Sequence, residues 1–199
     1  MKTENYLNTT FNGCYEYLLV IKPGKEVNEK LIAEKQMFYD DYKEKAAIKT
    51  KPHIIVASFL AKEAMENTII RWMQRICGKH KSFAVTLNNY GGFPPGSIYL
   101  RIQNEAPFRE LAEELSVVNA YINSSSCPPM LHTPRPRVSI ADNLSEETFF
   151  KALTQYAHKS FHESFLVSEL LLLKRRDEYD VCKPVIVFAL QPSVGELVN

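Results

Sequence analysis

One short pattern occurs twice in this chain, as Pro52-His53-Ile54-Ile55-Val56-Ala57 and as Pro136-Arg137-Val138-Ser139-Ile140-Ala141. Laid over each other without a gap, the copies match proline, a basic residue, a β-branched residue, a variable position, a β-branched residue and alanine. The match continues as Leu60 over Leu144, then a helical pattern from Lys62 or Glu146, then a strand opening at Phe83 or Phe165. The residues that differ are those that can do chemistry. Arginine offers a fixed fork of donors that matches phosphate oxygens, and the Ser139 hydroxyl can add another. A histidine such as His53 can take or give a proton in neutral water. Together they would suit a phosphate or phosphodiester.

Taken alone, each residue has a plainer explanation. A histidine opening a strand is more often structural than catalytic, and an isolated Arg137 reads as a surface cation. Their coincidence at one position of an internal repeat, each after a proline, argues for a shared cleft. Side chains alternate across a strand, so His53, Ile55 and Ala57 should share one face, and Arg137, Ser139 and Ala141 the equivalent face. Ile54, Val56, Val138 and Ile140 should then point into a core.

The elements needed to hold these strands can be read along the chain. Apolar runs predict strands over Tyr15–Lys22, His53–Phe59, Phe83–Asn88, Ser97–Ile102, Arg137–Ala141, Glu163–Lys174 and Lys183–Leu190. Helical spacing predicts helices over Val27–Ala47, from Met65 to Ile76 and from Phe108 to Ile122, the last with Pro107 in its first turn. Ser145 is placed to cap a further helix carrying Phe149, Leu153 and Tyr156. Asn89–Gly96 reads as a rigid turn-rich connector, and Asn123–Pro136 as a long loop. The order β-α-β-α-β-β-α-β-α-β-β is an α+β arrangement of two related halves.

Composition narrows the partners. The chain has 199 residues, 45% of them hydrophobic, which is enough for one domain or two small lobes sharing a core. Its formal net charge is +1, so the basic footprint of a protein that grips long nucleic acid is missing. A nucleotide or a short nucleic-acid end suits it better than a long duplex. Cys14, Cys77, Cys127 and Cys182 are too dispersed for a zinc knuckle or a redox pair, which predicts free thiols in a reducing cytoplasm. No apolar run reaches the roughly 18 residues of a membrane span, and the first residues lack the hydrophobic stretch of a signal peptide.

Other candidate groups are weaker. His158 and His162 lack a carboxylate or cysteine to complete a metal site, and no phosphate-cradling glycine loop is present, so neither metal nor cofactor is expected. His132 sits on the long loop, either solvent-exposed or folded back as a substitute acid. Tyr90 and Phe93 flank Gly91-Gly92 and could stack on a base or pack over a sheet edge.

The two motifs, with their order and spacing, resemble those of the 2H phosphoesterases, the superfamily of the 2′-5′ RNA ligase (LigT-like) proteins and 2′,3′-cyclic phosphodiesterases. The family signature is two His-x-Thr/Ser motifs, each on a strand followed by a helix. The strand Tyr17–Ile21, the Gly92-Phe93-Pro94 turn, Phe165–Leu172 and Val185–Leu190 also fit. The resemblance implies a bilobal, duplicated fold over residues 1–199, with two antiparallel sheets lining a central cleft and helices outside. It further implies that one histidine acts as general base and the other as general acid, while Thr/Ser hydroxyls hold phosphate oxygens. Here His53 survives as the catalytic candidate, but Ile55 stands where a hydroxyl belongs and Arg137 where the second histidine belongs. Arginine stays protonated and cannot serve as a base. The implied function is binding, with or without slow hydrolysis, of a small phosphodiester or an RNA 2′,3′-cyclic phosphate end. The alternative is a catalytically inactive homologue that serves as a nucleotide- or anion-binding module or in protein interaction.

Overall fold

Strands form where apolar and β-branched residues recur, and they gather into two antiparallel sheets. The structure, a computed structural model, describes residues 13–94, 96–177 and 180–193. One sheet has five strands: β1 (Cys14–Ile21), β2 (Ile54–Lys62), β5 (Leu131–His132), β8 (Glu169–Arg175) and β9 (Lys183–Ala189), in the order β5-β2-β1-β8-β9. The other has four: β3 (Phe83–Phe93), β4 (Ser97–Ile102), β6 (Arg137–Ala141) and β7 (His162–Val167), in the order β6-β4-β3-β7. This is the α+β fold with two antiparallel sheets that the sequence implied.

The helices cross over between the sheets. α1 (Lys25–Tyr42) and α2 (Ala46–Lys49) follow β1 but pack on the four-stranded sheet, beside α6 (Glu146–Tyr156). α3 (Glu66–Cys77) and α4 (Ala106–Glu114) pack on the five-stranded sheet, and α5 (Ser116–Ser124) lies against α3. Val27, Leu31 and Phe38 of α1, Phe149 and Tyr156 of α6, and Ile69 and Met73 of α3 close the core. Among the described residues no helix is long and apolar enough to cross a membrane.

Several local signals act as expected. Pro107 occupies the first turn of α4. Ser145 caps α6, its hydroxyl oxygen accepting the Thr148 N–H at 3.2 Å. Four expectations need correction. The helix expected over Val27–Ala47 stops at Tyr42, because Lys43 turns left-handed (φ 57°) and its N–H closes onto the Tyr39 carbonyl. The helix expected from Phe108 to Ile122 is broken at Leu115 into α4 and α5. The strand expected over Glu163–Lys174 is two strands in different sheets: β7 pairs with β3, and after Ser168 the chain crosses so that β8 pairs with β1. The Ser168 carbonyl accepts the Leu190 N–H at 2.8 Å at this crossing.

The connector expected over Asn89–Gly96 is mostly strand, since β3 continues to Phe93 and only a tight turn remains. Gly96 sits in that turn at φ 156°, and its carbonyl accepts the Leu144 N–H at 3.0 Å. A Cβ there would lie 2.4 Å from the Leu144 carbonyl oxygen, which is backbone and cannot yield. Gly96→Ala should therefore lower stability by roughly 3 kcal/mol, seen as a lower urea midpoint with an unchanged slope. A midpoint matching that of the parent chain would show that the turn relaxes freely.

Candidate functional site

Both motif strands carry one residue too many. On β2, Ile55 faces Val20 of β1 and Ala57 faces Leu19, leaving Val56 extra. On β6, Ser139 faces Tyr99 of β4 and Ala141 faces Ile98, leaving Ile140 extra. The bulges fall at the same position of the repeat. Each resets the alternation, so Ala57 and Ala141 do not share a face with His53 or Arg137 as expected; they are 0% and 1% exposed, in the core. Ile54, Val56, Val138 and Ile140 are buried as expected.

A bulge leaves backbone groups that need other partners. The Val56 carbonyl accepts the Thr133 N–H, just past β5, at 3.1 Å. On the β6 side, the ammonium of Lys35, on α1, donates to the Ser139 and Ile140 carbonyls at 3.1 Å each. Lys35 is only 4% exposed. Burial pushes its pKa down, and the negative charge of Asp142 resists that push.

The faces left outside the core meet at a cleft of about 900 Å³. His53, Ile55, Phe93, Arg137 and Ser139 all line it. Around them stand residues that the sequence reading did not single out: Tyr99, Arg101, Glu105, Thr133, Arg135 and Asp142. Tyr99 and Arg101 could have been found by alternation on a strand beside the motif. Strict alternation hides Asp142, because only the bulge returns it to the cleft side.

Arg137 is half-buried, and its guanidinium carbon lies 4.8 Å from the centre of the Tyr99 ring and 5.9 Å from that of Phe93. Gly91 makes room for this stack, since a Cβ there would meet the Tyr99 ring at 2.9 Å. No acceptor among the described residues takes the N–H groups of the Arg137 side chain. Arg101, opposite Arg137 across the two strands, is occupied: its Nε and Nη2 donate to the Tyr90 carbonyl at 2.9 and 2.6 Å.

His53 lies just before β2, with Nδ1 2.8 Å from the Lys51 carbonyl. A carbonyl only accepts, so Nδ1 carries the proton and a neutral ring keeps its free lone pair on Nε2. Ser139 donates its hydroxyl proton to Asp142 Oδ2. The cleft thus joins a stacked, unneutralised cation, an imidazole with a fixed tautomer and a hydroxyl bound to a carboxylate.

Two candidates lie elsewhere. Tyr90 is not a stacking platform; it is 6% exposed, its hydroxyl donates to Glu34 at 2.6 Å, and its ring meets Tyr156 edge-on. The cause is a bulge in β3 beside Asn89 (φ 57°), which turns Tyr90 into the core. His132 stands opposite Ala57 and does not line the cleft. Its Nδ1 is buried without a partner, and burial lowers its pKa. No cluster of three or more potential metal ligands occurs among the described residues.

The family model described as the 2′-5′ RNA ligase superfamily matches residues 26–178. E. coli LigT complexed with 3′-AMP is a structural neighbour with TM-score 0.68 and 18% identity, over 89% of this chain and 98% of that one. A crystal structure named only as a phosphoesterase gives TM-score 0.67 and 18% identity over the same shares. The TT0787 protein of Thermus thermophilus gives 0.62 and 14%, over 89% of this chain and 99% of its own. No curated protein matches the sequence. With the family model spanning most of the chain and the LigT-like fold beneath it, this protein belongs to the 2′-5′ RNA ligase superfamily of 2H phosphoesterases.

Proposed function

We propose that the cleft binds a small or RNA-terminal phosphodiester, such as a nucleoside 2′,3′-cyclic phosphate, and turns it over slowly or not at all. The observation that carries this reading is Arg137: a half-buried guanidinium, stacked on Tyr99, with no acceptor for its side-chain N–H groups among the described residues. Such a group awaits an anion, and its planar fork suits phosphate oxygens. Structures of E. coli LigT complexed with 3′-AMP, phosphate, NADP+ and ATP are consistent with a nucleotide or phosphate ligand here.

Cleaving a phosphodiester needs a proton to leave the nucleophile and another to reach the departing oxygen. His53 Nε2 can accept the first. Arg137 holds its proton at any working pH and offers charge stabilisation instead. The Arg137 guanidinium is available to an anion while half of the acid–base pair is missing, which favours binding over catalysis. Ile55 adds no donor on the opposite strand.

Arg137→Ala should weaken binding of adenosine 2′,3′-cyclic phosphate by about tenfold in calorimetry, the loss expected for one charge-assisted contact. Unchanged affinity would place the ligand elsewhere. Turnover of the same compound should be negligible in the parent chain and should rise with Arg137→His, by up to about 10²-fold as a general acid is restored. Adding Ile55→Thr should raise it further. A robust parent rate that depends on His53 and falls in Arg137→His would make the arginine catalytic and overturn the proposal.

A further inference from the structure

Two of the cysteines lie together although they are far apart in sequence. Cys14 opens β1 and is paired across the strands with Lys62, at the end of β2. The Lys62 ammonium donates to the Ser125 carbonyl at 3.4 Å, which brings the end of α5 beside that pair. Cys127 follows two residues later, its Sγ 3.9 Å from Met65 Sδ and 3.8 Å from the Ser125 carbonyl oxygen. The Cys127 thiol also shares a hydrogen bond with that of Cys14. Cys14 is partly exposed and Cys127 is buried. Cys77 and Cys182 have no thiol beside them among the described residues. Cys77 is sealed in the core, where burial pushes its thiol up to about 12.

We infer that Cys14 and Cys127 form a reversible disulfide site, open as two thiols in a reducing medium and closed by a low-molecular-weight disulfide such as oxidised glutathione. The chemistry is two exchanges. The Cys14 thiolate attacks one sulfur of the oxidant, a mixed disulfide forms, and one glutathione leaves with the proton. Cys127 then attacks the Cys14 sulfur, the Cys14–Cys127 bond forms, and the second glutathione leaves with the second proton. Two protein thiols are oxidised and one external disulfide is reduced. The order follows from exposure: of the two, Cys14 is the one that solvent reaches, and Cys127 is the thiol beside it. Burial, and then Cys127, push the Cys14 thiol up against the opposing charge of Lys62. Thiolate is therefore scarce in neutral water and closure is slow. The bond ties the start of β1 to the segment that runs through β5 to Thr133 and Arg135 in the cleft wall. This site does not depend on what the cleft binds.

The test incubates the folded parent chain to equilibrium with excess oxidised glutathione, then alkylates it in denaturant and maps it by mass spectrometry. Cys14 and Cys127 should appear as one linked peptide pair, with Cys77 still alkylated, and excess reduced glutathione should restore both thiols. In Cys127→Ser, or in Cys127→Ala if that variant folds better, Cys14 should stop at the glutathione adduct. In Cys14→Ser, Cys127 should remain a thiol. The linked parent should melt about 5 °C higher than the reduced one, because the bond constrains the unfolded chain. A parent that keeps both thiols, that stops at the adduct, or that links Cys14 to another cysteine would overturn the site. An adduct on Cys127 in Cys14→Ser would overturn the order of attack, and an unchanged melting temperature the tie between β1 and the cleft segment.

Discussion

What the cleft presents depends on one surplus residue in each of two strands. Val56 and Ile140 interrupt the ladders of β2 and β6 at equivalent places. Before each bulge the strand offers its chemistry, His53 and Ile55 on one side and Arg137 and Ser139 on the other. After it the strand turns its small alanine inward, so the core stays closed behind the cleft. Bulges are a recognised way to re-aim side chains beside functional sites. Here the same device is used twice, in agreement with the repeat visible in the sequence.

The two bulges are stabilised by different means. β2 has a short outer neighbour, and the Thr133 N–H takes the freed carbonyl. β6 is an edge strand, so a buried ammonium from a helix stands in for the absent strand. Covering the bulge of an edge strand in this way also hides part of an open ladder. The choice has an electrostatic effect. A buried ammonium is set behind Ser139 and Asp142, in the wall of the cleft, without being exposed in it.

Much of this was legible in the sequence, and what was not has a common cause. Periodicity locates β1, β4 and β6, and turn chemistry locates Pro107 and the Ser145 cap, because each depends on a few adjacent residues. The placing of His53, Ile55, Arg137 and Ser139 around one cleft follows from the repeat, and Phe93 stands out by flanking the Gly91-Gly92 pair. Bulges depend on the partner strand, which a single chain read in order does not reveal. That is why alternation puts Ala57 and Ala141 on the wrong faces, leaves Tyr90 as a surface ring and misses Asp142. The break at Ser168 was hidden for a similar reason: a run as apolar as Phe165 to Leu172 reads as one strand, and only the competing pairings of β3 and β1 divide it.

The crossing at Ser168 also bears on how the chain is made. β1 lies far ahead of its neighbour β8 in the chain; Arg175 reaches Glu16 across 159 positions of sequence. Until the C-terminal strands are available, one flank of β1, including the buried Leu19 and Val20, has no partner in its own sheet. During synthesis the half-built five-stranded sheet thus exposes an apolar edge, and closing it is a long-range, entropically costly step. β8 and β9 act as the closing seam of a sheet begun by β1. Loss of β8 and β9 would thus be felt in the sheet that holds β1 and β2.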